Sequence, residues 1–173
     1  MGNLEQELKQ RGFEVVVDEH KKAVSIFTDE KGVRHEFPKE TTLPTRADKG
    51  SAGYDFYIPK DLKLEPMQKT IVWTDVKAYM NEDEILSIYI RSSLAIKQGI
   101  MLSNNVGIID SSYYSNEGND GNIGVALVNT TGVTVTLKEG ERFAQGIFTK
   151  YLTADTDIVG DNTRNGGIGS SGK

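Results

Sequence analysis

The sequence predicts an all-β protein. Between residues 53 and 151, runs rich in Val, Ile, Thr and Tyr alternate with short turns of Gly, Asp, Asn and Lys. The chain contains 18 glycines but only 4 prolines, which indicates ordered turns rather than disorder. Short strands at this spacing are typical of a β-sandwich, jelly roll or barrel. The predicted strands are 53–58, 70–79, 85–91, 100–104, 123–129, 133–137 and 142–151, and residues 92–97 are predicted to form a short helix.

The first 38 residues are predicted to form an appendage to this core. Asn3 can cap a short helix over 3–11, and Gly12 would end it. Three β-rich runs follow, and we expect an edge hairpin or a packing element there. The residue pattern of the sequence changes near Lys39, so the predicted core spans 39–152. The polar residues 153–173 are predicted to form a mobile arm. The remaining predicted strands are 13–17, 23–28 and 33–37.

Composition excludes several classes of function. With no cysteine, the chain has no disulfide, thiolate nucleophile or Cys-type zinc site, and two histidines argue against a multi-histidine metal centre. The net charge of −5 argues against a broad nucleic-acid surface, which needs clustered Lys and Arg. No apolar run has the length of a membrane span, and the N-terminus lacks an apolar signal region. We therefore expect a cytoplasmic protein without a membrane or nucleic-acid partner.

The stretch Ser103–Tyr114 is predicted to be two short strands that close on each other. Asn104 and Gly107 suit a tight turn, because Asn and Gly tolerate positive φ. The exposed backbone of such a turn can bond the edge of a flat ring. Asp110 follows the Ile pair 108–109, which we expect to be buried and to hold the carboxylate in place.

A phosphate-binding cluster is predicted where one strand meets the short helix. Arg91, Ser92 and Ser93 combine a guanidinium, two hydroxyls and backbone N–H groups. A surface arginine followed by a capping serine is the alternative. Asp55 ends the small-residue turn 51–55, where it either serves a site or only braces the turn.

Two further clusters lie near the C-terminus. In the cluster 140–145 a turn leads into the strand 142–151, and Gln145 offers a neutral amide that can donate to an anion. Such turns are also ordinary strand connectors. Residues 164–173 combine Arg, Gly and Ser, which can fold over a phosphate chain with backbone N–H groups and hydroxyls as donors. A plain disordered tail is the competing interpretation.

In order, these five clusters resemble the signature blocks of the trimeric dUTPases, within the superfamily that also contains the dCTP deaminases. The resemblance covers about residues 40–173 and includes Leu43-Pro44-Thr45-Arg46-Ala47 ahead of the first block. It implies a jelly roll and a homotrimer with active sites shared between subunits. It also implies hydrolysis of dUTP to dUMP and pyrophosphate, with Mg²⁺ held by the triphosphate and water rather than directly by protein. Some bacillary and phage relatives share its departures from the usual blocks.

The resemblance also implies roles for single residues. Asp110 matches the aspartate that orients and deprotonates the attacking water, and Tyr113 matches the tyrosine under the deoxyribose. Asn104 matches a residue near the uracil edge, which is otherwise read by backbone near Gly107. Asp55 matches a supporting acid near the metal-bound water. The predicted phosphate contacts are Arg91, Ser92, Ser93 and Gln145, and the predicted closing arm contains Arg164, Ile168, Gly169, Ser170 and Ser171.

The sequence departs from these blocks in two places. Ile168 stands where an aromatic residue usually stacks on uracil. The loop 114–121 replaces the usual arginine and glycine after the tyrosine. Either Ile168 covers the base, or an aromatic from elsewhere does so. Tyr114 is our candidate for that aromatic, and a surface tyrosine without a role is the alternative.

Two other functions compete with dUTP hydrolysis. Related dCTP deaminases use a glutamate in the strand after the 103–114 stretch, and Ala126 occupies that place here. The missing carboxylate argues against deamination, alone or as a second activity. A dUTPase that also binds a regulatory protein is the other alternative, since residues 1–38 and 114–121 lie outside the shared core.

Overall fold

The computed structural model describes residues 9–158, and the prediction of an all-β chain is confirmed there. Most predicted strands are present with small shifts of their ends, and the predicted short helix is α1. The predicted strand 70–79 is wrong as one strand, because the chain turns at Asp75, with a φ of 57°, and forms β7 and β8 in different sheets. The strands β4 and β6 were missed, because each is too short to show a pattern. The strands are β1 (Gly12–Val15), β2 (Val24–Thr28), β3 (Arg34–Pro38), β4 (Thr45–Arg46), β5 (Tyr54–Tyr57), β6 (Leu62–Leu64), β7 (Lys69–Trp73), β8 (Val76–Tyr79), β9 (Glu84–Ile90), β10 (Ile100–Leu102), β11 (Gly107–Asp110), β12 (Gly124–Asn129), β13 (Val135–Leu137) and β14 (Arg142–Lys150), and the helix α1 is Ser92–Gln98.

Two sheets supply most of the core. One has the strand order β11-β9-β14-β5-β4 and the other the order β10-β12-β7. Side chains alternate along each strand, so that Leu86 and Ile88 of β9 point inward while Tyr89 is exposed. Leu86 and Ile88 pack in one buried cluster with residues of the second sheet, such as Val125 and Leu127 of β12. No helix within residues 9–158 is long and apolar enough to cross a membrane.

The prediction that the two strands around 103–106 pair with each other is wrong. β10 bonds to β12, and β11 bonds to β9, in a different sheet. The tight turn itself is present, since Asn105 has a φ of 62°. Both strands find full-length partners elsewhere, and the turn therefore passes from one sheet to the other.

The N-terminal segment has two different parts. β1 is antiparallel to β8, and Phe13 packs against the rings of Tyr54, Phe56 and Phe148 at 5.2 to 5.6 Å. β2 and β3 pair only with each other, and more than half of the Phe27 side chain is exposed. The first strand therefore extends the core, whereas the hairpin projects from it. Residues 1–8, where most of the predicted helix falls, lie outside the described residues.

Asp75 anchors the chain between these two parts. It is fully buried at φ 57°, and its carboxylate accepts bonds of 2.8 Å from the backbone N–H groups of Lys22 and Ala23. The side chain of Asn122 donates a third bond of 2.9 Å. Because a buried carboxylate needs such donors, the N-terminal segment is held against the core at this point.

An ion pair at the start of β1 provides a test of this attachment. Arg11 contacts the buried Glu84 at 2.6 Å. We expect Arg11→Met to lower the free energy of unfolding more than a change of an exposed lysine does, because it removes the cation that is paired with the buried Glu84 carboxylate. Urea unfolding at one fixed protein concentration would measure this. Lys9→Met is the matched control, and an equal loss in that variant would contradict the assignment.

Candidate active site

Residues from three of the predicted clusters line one polar cavity of about 250 Å³. It lies where β5, β9 and β14 meet the start of α1. The predicted phosphate contacts and the supporting acid all face it, although they come from distant parts of the sequence. The lining residues are Ala47, Ser51, Gly53, Asp55, Arg91, Ser92, Ser93 and Gln145.

Asp55 is held between two arginines beside this cavity. Arg91 contacts one carboxylate oxygen at 3.2 Å, and Arg142 contacts the other at 3.1 Å. The Asp55 side chain is only 8% exposed, so these two cations compensate its burial. Two positive charges against one negative charge leave a local excess of positive charge, which suits an anionic ligand.

Arg142 belongs to this group but was not predicted. In a regular strand, Arg142 and Gln145 would point to opposite faces. A register shift between Arg142 and Ala144 brings Arg142 opposite Tyr57, on the face that carries Asp55. Such a bulge depends on how β14 pairs with β5, and the sequence alone carries no signal for it.

Gly53 allows the 51–53 turn to approach Gln145 closely. A Cβ atom at Gly53 would lie 2.5 Å from the side-chain oxygen of Gln145. Any larger residue would therefore push the amide away from its place in the cavity wall. This close approach explains the glycine in the first cluster.

The residues of the 103–114 stretch lie elsewhere. Asp110 ends β11 and is half-buried, and Asn104 is exposed in the turn. Ile109 packs against the core as expected, but Ile108 is 49% exposed, so the expectation that both isoleucines are buried is wrong for Ile108. Gly107 lacks the positive φ that its place in the turn suggested. It lies in β11, where a Cβ would meet Ile88 at 3.1 Å.

Tyr113 is more buried than we expect for a ring that contacts the sugar. It is 6% exposed, and its hydroxyl donates to the backbone oxygen of Asn122 at 2.7 Å. The Asn119 amide donates to the same hydroxyl at 2.7 Å. Little of the surface of Tyr113 is therefore open to contact with a nucleotide.

Tyr114 points toward the N-terminal segment. Its hydroxyl donates to Glu14 at 2.6 Å, across 100 positions of sequence. Burial, together with this bond to a carboxylate, raises the pKa of Tyr114 to about 12. The phenol therefore stays protonated and acts as a donor to β1. Residues Arg164 to Ser171 of the predicted arm lie outside the described residues.

Asp110 and Arg91 are separated by the length of one strand. Asp110 pairs with Ile85 near the start of β9, and Arg91 follows the end of the same strand, six residues further along. At 3.2 to 3.4 Å per residue, this separation is about 20 Å. Within one chain, the aspartate therefore lies far from the arginine-lined cavity.

The fold and the cavity together define an all-β protein with a polar, arginine-lined cavity where strands of one sheet meet α1. Residues 39–172 match the sequence model of the dUTPase family. The chain belongs to this family. The deoxyuridine 5'-triphosphate nucleotidohydrolase of Lactococcus lactis subsp. lactis is 36% identical over 166 residues, which cover 95% of this chain and 99% of that protein.

Solved structures agree with this assignment. The dUTPase from Streptococcus mutans is 37% identical, with a TM-score of 0.67 over 83% of this chain and 98% of that one. The dUTPase from phage phi11 of Staphylococcus aureus is 21% identical and shows the same fold, with a TM-score of 0.60 over 80% of this chain and 97% of that one.

The contact between Tyr114 and Glu14 predicts a pH dependence of stability. The Tyr114 hydroxyl, followed by Lys9, lowers the pKa of Glu14 below its ordinary value of 4.5. Its contribution is therefore complete above about pH 5 and is lost as the pH falls through the lowered value. By urea unfolding, we expect Glu14→Gln to cost about 1 kcal/mol at pH 7 and less at a pH below 4.5. An equal cost at both pH values would contradict this.

Proposed function

We propose that this protein hydrolyses dUTP to dUMP and pyrophosphate, in the cytoplasm where the nucleotide pool is found. The observation that supports this most directly is the cavity in which Arg91, Ser92, Ser93 and Gln145 converge beside Asp55. These residues come from three separate blocks that resemble dUTPase signatures, in a chain of that family. The cavity offers charged and neutral donors in the combination that a triphosphate requires.

The separation of Asp110 from the cavity supports a homotrimer with shared active sites. Since one chain keeps the two about 20 Å apart, we propose that Asp110 of one subunit faces the cavity of a neighbour. Asp110 lies on the same face of β11 as the exposed Ile108, and Tyr89 of β9 is also exposed. Exposed apolar side chains in this sheet suit an interface that brings Asp110 to the next subunit.

In this site, Asp110 orients a water molecule for attack at the α-phosphorus. The water oxygen forms a new bond to phosphorus, the bond to the bridging oxygen of the β-phosphate breaks, and pyrophosphate leaves. Asp110 accepts the proton of the water. Arg91 and the neighbouring donors hold the phosphates in line, since this reaction depends mainly on positioning and charge neutralisation.

Magnesium is the cation that we propose for neutralising the triphosphate. Phosphate and water oxygens satisfy its preference for hard ligands. Both oxygens of Asp55 already contact arginines, so this acid suits a contact through metal-bound water better than direct ligation. When bound, the ion would supply charge neutralisation, and the chain's own donors would hold the phosphate oxygens.

The remaining parts of the nucleotide are assigned to the other predicted residues. We propose that Asn104 and the backbone near Gly107 read the uracil edge, and that Tyr113 lies under the deoxyribose. The closing arm over the phosphates and base remains the role proposed for Arg164, Ile168, Gly169, Ser170 and Ser171.

The substrate assignment predicts a selective activity. With Mg²⁺ present, we expect pyrophosphate release from dUTP and at least about 100-fold less from dTTP, dCTP and UTP, because a site with fixed contacts to base and sugar rejects analogues that cannot form them. Parallel measurement of pyrophosphate and ammonia would test this. Ammonia release from dCTP would instead support the deaminase alternative, despite Ala126.

The shared site predicts complementation between two inactive variants. We expect Asp110→Asn and Arg91→Ala each to lower kcat at least about 100-fold, since the first loses the base and the second a phosphate contact. When the two variants are refolded together in equal amounts, about a quarter of the sites should combine an intact Asp110 with an intact Arg91. The mixture should then recover about a quarter of the wild-type activity.

Asp61→Asn, an exposed acid paired with Lys138, is the control for these variants. It should keep full activity alone and in mixtures. If the two inactive variants recover nothing after sizing has shown that they co-assemble, the two residues do not act across a subunit boundary.

A further inference from the structure

We propose that the N-terminal strand β1 positions the loop that follows Asp110, and that Glu14 and Tyr114 are positioning residues for the reaction. This inference rests on the function proposed above. It concerns two features that the function leaves unused, residues 12–17 and the loop 114–121. Hydrogen bonds join the two, and a buried ion pair joins the loop to β8.

The loop has an internal network that includes Tyr113. The Asn116 amide donates to the backbone oxygen of Tyr113 at 2.8 Å, and its oxygen accepts from the backbone N–H groups of Gly118 and Asn119. The Asn119 amide in turn reaches the Tyr113 hydroxyl. The loop and the tyrosine therefore move as one unit.

Three contacts join this unit to β1, to the segment that follows β1, and to β8. Tyr114 donates to Glu14 at 2.6 Å. The backbone N–H of Val17 donates to Asp120 at 2.8 Å, and Lys77 contacts the same carboxylate at 2.9 Å. The Lys77 and Asp120 side chains are both nearly buried, so each depends on the other for compensation of its charge.

The backbone of the loop needs these contacts to keep its conformation. Ser115 and Asp120 have φ values of 51° and 55°, which residues with a side chain rarely adopt. Gly121 has a φ of 77°, and a Cβ there would lie 2.9 Å from backbone atoms of Tyr113 and Ser115. A strained loop of this kind persists only when its surroundings hold it.

The loop can act on Asp110 because the connection is short. A single 3-10 turn, Ser111–Tyr113, separates Asp110 from Tyr114. Release of the loop would therefore change the direction of the carboxylate, while β11 still pairs with β9. The phosphate-binding cavity is built by other strands, so that substrate affinity should change little.

The comparison with relatives is consistent with this role. The dUTPase family model begins at residue 39, after β1. The match to the Lactococcus lactis enzyme covers 95% of this chain, so it must include most of the N-terminal segment. β1 is thus an addition to the family core, and it contacts the loop in which this chain departs from the usual signature.

The test compares Tyr114→Phe and Glu14→Ala with the wild type, well below the unfolding temperature of each protein. Both variants remove the hydrogen bond between Tyr114 and Glu14, and Glu14→Ala also removes the exposed contact with Lys9; neither changes a residue of the cavity or Asp110. We expect kcat for pyrophosphate release from dUTP to fall about five- to tenfold while KM stays within about twofold, since misplacement of a catalytic group affects turnover. Backbone amides of residues 111–121 should also exchange hydrogen faster.

Two further variants separate positioning from stability. Glu14→Gln keeps an acceptor for Tyr114 and should retain kcat within about twofold. Lys9→Met removes the exposed partner of Glu14 and should behave like the wild type. If Tyr114→Phe and Glu14→Ala keep full kcat while folded, or if KM rises as much as kcat falls, the positioning role is wrong. A wild type that does not hydrolyse dUTP would instead refute the proposed function, and the exchange measurement would still report on the loop.

Discussion

The rigid length of β9 is the constraint on which the organisation of the site depends. The strand pairs with β11 on one side and β14 on the other, so it can neither shorten nor fold back. Asp110 is held beside its first residues, and Arg91 leaves its far end. The same hydrogen bonds that stabilise the sheet therefore keep the candidate base and the candidate phosphate cavity apart. This separation is the reason for the proposal that another copy of the chain completes the site.

At the end of β9 that lies next to the cavity, Asp55 shows how a carboxylate can be part of a site that suits an anion. Asp55 would repel a triphosphate if it were free, but Arg91 and Arg142 each contact one of its oxygens. The carboxylate fixes the direction of both guanidinium groups, and the local charge remains positive. Gly53 and Gln145 complete the wall through a close approach that any larger residue would prevent.

Much of the fold and of the site follows from local sequence. Alternating Val, Ile and Tyr runs predicted most strands, because a strand with one buried face must repeat every second residue. The blocks around Asp55, Arg91 and Gln145 predicted a phosphate site, and the structure brings these three side chains to one cavity. Local patterns succeed here because each block places its functional groups within a few residues of a strand end.

Only the tertiary structure determined how these segments meet. A bulge in β14 turned Arg142 toward Asp55, and the turn at Asn105 joins two sheets rather than two paired strands. Tyr114 found its partner in Glu14, 100 positions earlier. The sequence by itself determined the strands, the family blocks and the chemistry they offer, since those depend on neighbouring residues. Register, bulges and contacts between distant segments depend on the packing of the whole chain, and the tertiary structure alone decided them.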